Sequence, residues 1–518
     1  MQPTQMTGRL WLILCAVGLL IYLLNIDYTA VNMAIRPVSE EIAADLSDLQ
    51  WLLSAYVLVW SGLVIPASRL ADFLGKRLAL IIGLSLFVAG SAVTGVSDTL
   101  FPLIGGRVLQ GVGAALFTSP AWALIFTSAP PEKQGFAMGF VMSFAGLGLA
   151  TGPTLGGFLI DLLSWRWIFY INIPLGLLVI LVLLKFAPKD EEPAHKPSFN
   201  GLAATLLMCA MGLFFFTLNR IEEAGASWQT LAPAFGVSAA LLAAYILRER
   251  LSKDPLVPGH LLKNKVFMSA TLGEFFMAIN YALVLVLVAL YLQNTLLLSS
   301  RDTGLIFIAM TVSMGALSPI GGRMTDRFGA RTPMLWGCAV TALGFVAMAQ
   351  LNQHTPLPFV CFALFLVGMG LGLYFAACNT AMLQSVPPED LNVASGFYTM
   401  FMLGGNTLSV ITSTSLVVLW GRTFLFESLS KGHTPLSADQ HATLASLIAQ
   451  VEPQKHTFEG FASQDVPLLL DHIAKAFVGG FSRAMWIGFV CSLLAFLFTL
   501  RLSKSGQVSA TPTLGHVV

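Results

Sequence analysis

Long apolar runs separated by short polar segments dominate the chain. The first run, residues 10–35, contains one acidic or basic side chain, Asp27. A membrane-spanning helix needs about 20 apolar residues, and runs of that length recur to the end of the chain. They predict an all-α polytopic membrane protein with fourteen transmembrane helices, at residues 10–35, 49–68, 78–97, 101–127, 135–160, 167–186, 199–219, 229–247, 267–292, 303–322, 333–351, 357–383, 391–418 and 484–502.

Composition agrees with this pattern and excludes several function classes. Of the 518 residues, 56% are hydrophobic and 11% are charged, whereas soluble domains carry about 25% charged residues. A net charge of +1 gives no reason to expect nucleic acid as a partner. The six cysteines lie inside apolar runs, without disulfide or metal spacing. We therefore expect no cofactor, no metal and, in the absence of a nucleophile triad or P-loop, no enzyme chemistry.

Lysine and arginine between the runs indicate the orientation in the membrane. With the amino terminus inside, inner segments hold twice as many of these cations as outer segments, and cytoplasmic loops carry the excess. We expect a multi-pass protein of the cytoplasmic (inner) membrane with both termini cytoplasmic. The segment 419–483 is then an extracytoplasmic loop, in which residues 438–451 have a helical apolar pattern. Its histidines match no metal-ligand spacing; they are His433, His441, His456 and His472.

The chain also repeats itself. Residues 68–77, SRLADFLGKR, return as GRMTDRFGAR at 322–331, 254 positions later. A Gly-x-Gly and a Pro-Pro-Glu at 111–113 and 130–132 return 257 positions later. Such repeats predict two parallel six-helix halves with two inserted helices between them. The predicted domains are an amino-terminal bundle at 1–190, the inserted helices and a cytoplasmic linker at 191–265, and a carboxy-terminal bundle at 266–518.

Two intramembrane motifs carry charge. The first span reads IDYTAVNMAIRP from position 26, close to L-D-x-T-x-V-N-x-A-L-P, and the fourth contains Arg107 in R-x-x-Q-G. Both resemble motifs of the major facilitator superfamily, in particular its fourteen-helix drug:proton antiporter branch, the EmrB/QacA-like proteins. The resemblance implies proton coupling by Asp27 and Arg107. Counting residues from the predicted outer boundaries separates them in depth by about 7–8 Å, which an arginine side chain can reach. Electrostatic coupling without a fixed salt bridge and direct pairing both remain open.

The repeated loop resembles the family motif G-x-L-A-D-R-x-G-R-K. The second copy fits well, whereas the first has Ser68 in place of glycine and Phe73 in place of arginine. The resemblance implies a conformational latch that stabilises one access state; the alternative is a topology signal only. The latch residues would be Asp72, Lys76, Arg77, Asp326, Arg327 and Arg331.

The fifth span contains GLATGPTLGG at 148–157, which is similar to the family's antiporter motif. Small residues four apart allow close helix approach, and a proline permits a kink. The resemblance implies exchange of an exported substrate for protons, and the alternative is ordinary helix packing. The motif residues are Gly148, Gly152, Pro153, Gly156 and Gly157.

Further polar and pliable residues are candidates for a substrate cavity. Glu274 is either a cavity acid or a side chain that extends to the inner interface. On the first helix, Asn25 and Asp27 point in different directions, so we expect one face to meet a helix and the other to meet the cavity. Met310 either contributes to a pliable apolar pocket or packs between helices. The candidate cavity residues are Asn32, Glu274, Tyr281, Met310 and Tyr398.

Together these patterns predict a proton-coupled exporter that works by alternating access on small, amphipathic or hydrophobic molecules, as in multidrug efflux. Its partners would be protons, the small-molecule substrate and the lipid bilayer. In a host with an outer membrane, the resemblance also implies a periplasmic adaptor and an outer-membrane channel. Two alternatives remain: a proton-coupled symporter that imports a nutrient or siderophore, and a non-transporting membrane sensor or assembly factor.

Overall fold

The computed structural model describes residues 6–190, 200–220, 228–252, 254–431 and 466–502. Within these ranges the chain forms helices and short connections, without a β-strand. The helices are α1 (Gly8–Ile42), α2 (Leu46–Leu49), α3 (Trp51–Leu74), α4 (Lys76–Gly95), α5 (Leu100–Ser128), α6 (Gln134–Leu162), α7 (Trp167–Tyr170), α8 (Asn172–Phe186), α9 (Gly201–Asn219), α10 (Trp228–Arg250), α11 (Gly259–Lys263), α12 (Lys265–Leu290), α13 (Ser300–Phe328), α14 (Arg331–Met348), α15 (Leu357–Gln384), α16 (Leu391–Lys431) and α17 (Val466–Leu500).

In the described part of the chain, 13 helices are long and apolar enough to cross a membrane. They correspond to all the predicted spans except the eleventh, 333–351. That region is also helical, as α14, but α14 has 18 residues and begins with Arg331, Thr332 and Pro333. These residues reduce its apolar character, which explains why it is not among the 13.

The ends of the helices differ most from the sequence prediction. Helix α1 continues through Pro37 to Ile42. Pro37 removes only one backbone N–H donor, and this loss does not end the helix here. A bond from Arg36 Nε to Glu40 Oε1, at 3.2 Å, stabilises this polar last part. The predicted loop 419–483 is helical at both ends, since α16 and α17 extend into it, and His472 lies in α17. The rest of that prediction, with the segment 438–451, lies outside the described residues, as do His433, His441 and His456.

Two bundles and an inserted helix pair make up the architecture. In the first bundle α4 packs on α5, α1 on α6 and α3 on α5, and in the second α13 and α14 pack on α15 and α12 packs on α16. Helix α10 packs on α9, which itself contacts α3 and α16 and so covers the seam between the bundles. Trp51 of α3 stacks on Phe216 of α9, with ring centroids 5.5 Å apart.

The two bundles meet chiefly where α6 runs along α13 and α3 along α16. We call the end of the molecule that carries the repeated loops 68–77 and 322–331 the motif end. Near it, Gly139 lies against the backbone carbonyl of Ser318, and Gly135 lies against that of Gly322. A Cβ at any of these glycines would collide with the backbone of the opposite helix. The lack of a side chain at these positions therefore permits the close contact between α6 and α13. Hydrogen bonds between the bundles concentrate here, and the bundles are closed together at the motif end.

Two glycines of α6 provide a test of this contact. In Gly139→Ala the new methyl group meets the Ser318 carbonyl, so we expect a loss of about 1–3 kcal/mol, typical of overpacking. In Gly157→Ala nothing lies within 4 Å of the new Cβ, so the change should be neutral or stabilising by up to about 1 kcal/mol. Thermal unfolding of the purified proteins measures the difference. Equal midpoints for the two variants would contradict the close packing of α6 on α13.

Candidate functional site

Asp27 lies inside the first bundle and is 1% exposed. Its Oδ2 accepts a hydrogen bond from Arg107 Nη1 at 2.5 Å. Its Oδ1 accepts from Gln110 Nε2 and from Asn172 Nδ2, both at 3.1 Å. Both carboxylate oxygens therefore have donors, one of them cationic, as a charged acid needs when it is removed from water.

Arg107 is fully buried and is satisfied by other helices as well. Its Nε donates to the backbone carbonyl of Leu52 at 2.7 Å, and its Nη1 also donates to Gln110 Oε1 at 2.8 Å. The guanidinium lies over the ring of Tyr56, with 4.5 Å between Cζ and the centroid. An aromatic face stabilises a desolvated cation, so Arg107 is held by charge, hydrogen bonds and a ring together.

A layer of uncharged polar groups completes this network. Ser91 Oγ accepts from Gln110 Nε2 at 2.7 Å and from Asn172 Nδ2 at 3.2 Å. Gly90 of α4 allows this geometry, because a Cβ there would collide with the backbone of α5 and with Gln110. Asn172 begins α8, where Pro174 cannot donate to the carbonyl of Tyr170 and so separates α8 from α7. Buried polar groups joined in this way specify one arrangement of the helices.

The structure thus favours direct pairing over coupling without a fixed salt bridge. Asp27 and Arg107 are in direct contact, although residue counting separated them by more than one helical turn. Because α1 reaches Ile42, counting from the helix ends separates the two residues even further. The long arginine side chain therefore closes the gap, and residue counting says nothing about helix tilt.

Other members of this network were missed by sequence reasoning. A signal existed for two of them, since Gln110 follows Arg107 within the quoted motif and Asn172 is an isolated amide in an apolar run. Tyr56 and Ser91 gave no signal, because tyrosine and serine occur in most membrane helices.

One face of α1 at this depth is buried around Asp27, and the other, with Asn25 and Thr29, is partly buried. Opposite Asp27, Thr29 lies against Gly152, and Asn25 lies against Gly148, so α6 covers the second face. Gly156 contacts Ala30 in the same way. The face that carries Asn25, Thr29 and Asn32 keeps some exposure, so it stays the candidate for the cavity side of α1. Gly157 has no neighbour within 4 Å, and the side chain of Pro153 is outside the described part of α6.

The five candidate cavity residues do not line one space. Asn32 is exposed and donates to the carbonyl of Tyr28 at 3.3 Å, and Tyr281 is partly buried. Met310 and Tyr398 are 0% and 2% exposed and pack between helices. Glu274 is 1% exposed, so it does not extend to the interface. In this state Asn32 is exposed, Tyr281 is partly buried with an enclosed hydroxyl, and the other three are enclosed in the second bundle.

The two loop acids each contact the opposite bundle at the motif end. Asp326 accepts from the backbone N–H of Gly135, at 2.7 Å, and of Phe136, at 2.8 Å, at the start of α6. Asp72 accepts from Asn392 Nδ2 at 2.6 Å near the start of α16. An acid at a helix amino terminus satisfies free donors and interacts favourably with the helix dipole.

The predicted cations behave differently from the acids. Asp72 pairs with Arg69, at 3.4 Å, and not with Lys76 or Arg77. The backbone N–H of Arg77 donates instead to Asp190, a residue outside the motif, and its guanidinium contacts the carbonyl of Leu184. Arg327 is exposed and Arg331 is partly buried; within the described residues no ion pair joins either of them to Asp326. Nor do three metal-binding side chains come together in these ranges.

Comparison with known proteins identifies the family. The family model of the Major Facilitator Superfamily matches residues 15–264 and 270–503. The chain belongs to the Major Facilitator Superfamily. It is 29% identical over 450 residues to the multidrug resistance protein Stp of Mycobacterium tuberculosis (strain CDC 1551 / Oshkosh), covering 86% of this chain and 82% of Stp. It is 27% identical over 513 residues to the tetracenomycin C resistance and export protein of Streptomyces glaucescens, covering 98% and 94%.

A solved structure supports the fold. The proton:xylose symporter XylE aligns with a TM-score of 0.62 at 13% identity, over 96% of each chain. These findings confirm the predicted major facilitator fold. The family match and the named relatives confirm that the protein is a transporter rather than an enzyme. Its helices make it a multi-pass membrane protein.

The ion pair of this transporter is testable by stability alone. Arg107→Met leaves the Asp27 carboxylate buried without its cation, which we expect to cost about 3–5 kcal/mol. The double variant Asp27→Asn/Arg107→Met removes both charges and should recover much of that loss. Thermal unfolding at pH 8 of the wild type, both single variants and the double variant gives the coupling energy. A double variant no more stable than Arg107→Met would contradict the direct pairing.

Proposed function

We propose that this transporter exports small amphipathic or hydrophobic molecules across the cytoplasmic membrane in exchange for protons, by alternating access. The observation that carries the proposal is the buried Asp27–Arg107 pair, at 2.5 Å inside one bundle. An intramembrane acid paired with a cation is typical of proton relays. Similarity to Stp and to the tetracenomycin C export protein supports export and the substrate class.

Protonation of Asp27 would change the balance between two access states. It removes the charge that compensates Arg107, and a buried cation without its partner is destabilised by about 3–5 kcal/mol. A state in which Arg107 gains water or another acceptor is then favoured. Two access states commonly differ by only a few kcal/mol, so a single proton is sufficient to reverse their populations.

The cycle follows from this switch. Substrate leaves outward as Asp27 gains a proton, the bundles rock, and the proton leaves inward as new substrate binds. Inward movement of one positive charge releases about 2.3 kcal/mol per 100 mV of membrane potential. The motif end is the cytoplasmic end in this proposal, so the structure corresponds to the outward-facing state.

Two contacts between the bundles would hold the cytoplasmic end closed. One is Asp326 on the backbone of Gly135 and Phe136, and the other is Asp72 on Asn392. Both must break when the bundles separate at this end. Because they lie at opposite seams, α6 with α13 and α3 with α16, they resist separation on both sides of the molecule.

Transport in proteoliposomes tests the coupling. The substrate is first chosen as the compound to which a deletion strain becomes most sensitive in a growth panel. We expect Asp27→Asn to abolish uptake driven by an imposed pH gradient, because residue 27 no longer exchanges a proton. Asp98→Asn serves as the control, since Asp98 is 85% exposed and pairs with Arg166 outside the spans. Normal proton-driven exchange by Asp27→Asn would overturn the proposal.

The same vesicles separate the alternatives. An antiporter and an importing symporter move protons in opposite directions relative to substrate, so the sign of the pH change on adding substrate distinguishes them. No substrate-dependent pH change would favour a sensor or assembly factor.

The closing contacts give an independent prediction. Asp326→Asn replaces one acceptor oxygen by a donor, so at least one backbone N–H of α6 loses its partner. We expect the cytoplasmic end to open more often, which spin labels on α6 and α13 at that end detect as a longer distance. Arg327→Gln is the control, since Arg327 is the exposed neighbour. Unchanged distances in Asp326→Asn would show that Asp326 does not stabilise closure.

A further inference from the structure

A second buried acid, Glu274, lies on α12 in the carboxy-terminal bundle. It is 1% exposed, and its Oε2 has no hydrogen-bond partner in the described part of the structure. The hydroxyl of Tyr398, on α16, and the thiol of Cys378, on α15, lie near this carboxyl group, and the thiol donates to the Ala270 carbonyl at 3.3 Å. The mechanism proposed above does not use this group.

The surroundings of Glu274 contain titratable groups but no cation. Helix α15 contributes Tyr374 and Cys378, α16 contributes Tyr398, and α14 contributes Cys338 to this cluster. From α17 the neighbouring groups are a backbone carbonyl at Ala495 and the Thr499 hydroxyl. All of these are neutral at physiological pH. No ion pair reaches Glu274 among the described residues, in contrast to Asp27 with Arg107.

This difference determines which form of the carboxyl group the site accommodates. A buried carboxylate needs a cation or a full set of donors, and Glu274 has neither. A neutral carboxyl group avoids the cost of desolvating a charge. The same site in a water-filled cavity would accommodate the carboxylate, so hydration is the condition under which the proton leaves.

Aromatic side chains close the route from Glu274 to the cytoplasmic end. Phe267 lies seven residues earlier on α12, which is two turns away on the same face, and it is fully buried. Its ring centroid is 5.7 Å from that of Phe397 on α16. Phe397 in turn lies 4.9 Å from Phe401. Separation of α12 and α16 here would expose this side of Glu274 to water.

We propose that Glu274 is a second proton-binding site, in the bundle opposite Asp27, which keeps its proton while the cytoplasmic end is closed. When that end opens, the carboxyl O–H bond breaks, the proton passes to entering water and the carboxylate remains on Glu274. Its place in an export cycle rests on the proposed function, but its proton binding does not. Glu274 regains a proton from the outer side after the cytoplasmic end closes, so each cycle moves two protons, one through each bundle.

Infrared spectroscopy of the full chain in lipid nanodiscs tests the site with protons as the probe. At neutral pH we expect a C=O stretching band of a protonated carboxyl group that disappears in Glu274→Gln and persists in Asp27→Asn. A neutral-pH spectrum of Glu274→Gln that retains the whole band would overturn the proposal. Because no substrate is present, this result is independent of whether Asp27 couples transport.

The aromatic closure supplies a second readout in a variant that keeps Glu274. After transfer of the protein into D₂O, exchange of the carboxyl proton for deuterium shifts the band. In Phe267→Ala we expect this shift to occur at least several-fold faster than in the wild type. Phe276→Ala is the matched control, since Phe276 is on the same helix but stacks on Phe498, 6.0 Å away. Equal exchange rates in wild type and Phe267→Ala would contradict a closed route on this side.

Transport then tests the consequence. With the compound chosen from the growth panel, Glu274→Gln should lower the number of protons exchanged per substrate about twofold while transport continues. An unchanged ratio would overturn the second-carrier role. Failure of the proposed function would instead appear as normal exchange by Asp27→Asn, so the two failures are distinguishable.

Discussion

The ion pair between Asp27 and Arg107 is the constraint on which the amino-terminal bundle depends. Two charged groups that are removed from water are stable only if their hydrogen-bond donors and acceptors have partners in the protein. This structure supplies partners for the two charges from five helices: α1 and α5 carry the charges, α3 provides a carbonyl and a ring, and α4 and α8 provide Ser91 and Asn172. Five helices must therefore keep their rotation and spacing for one pair to remain stable.

Close helix packing is what permits that spacing. Gly90 and Gly106 bring α4 against α5 within the network, and Gly148, Gly152 and Gly156 bring α6 against α1 on the other side of Asp27. The glycines of the fifth-span motif thus have a structural role that the packing interpretation describes correctly. They also place α6, the helix that contacts the opposite bundle, directly against the helix that carries Asp27. The ion pair is therefore only one helix away from the contact surface between the bundles.

Much of the fold could be predicted from the sequence, because long apolar runs and a repeat at a fixed offset have few structural solutions in a bilayer. The association of Asp27 with Arg107 could be predicted from the motifs, but not their direct bond, since helix ends and tilts depend on tertiary contacts. Met310 and Tyr398 were placed in a cavity because periodicity does not reveal which neighbour covers a face. Asp190 could not be found at all, because the residue that contacts Arg77 is more than 100 positions away in sequence.

The repeat explains why the two contacts at the motif end differ in chemistry. Asn392 is 257 positions after Gly135, and Gly322 is 254 after Ser68, so these pairs are equivalent by the sequence offsets. Gly322 and Gly135 let α13 and α6 approach until Asp326 reaches backbone N–H groups. At the equivalent seam the Ser68 side chain occupies that space against Gly396. Here the donor to Asp72 is the side-chain amide of Asn392, the equivalent of Gly135, and not a backbone N–H. A backbone contact is fixed by the helix, whereas a side-chain amide can rotate away. The seam between α3 and α16 is therefore the one with less resistance to opening, and it is also the seam that the inserted helix α9 covers.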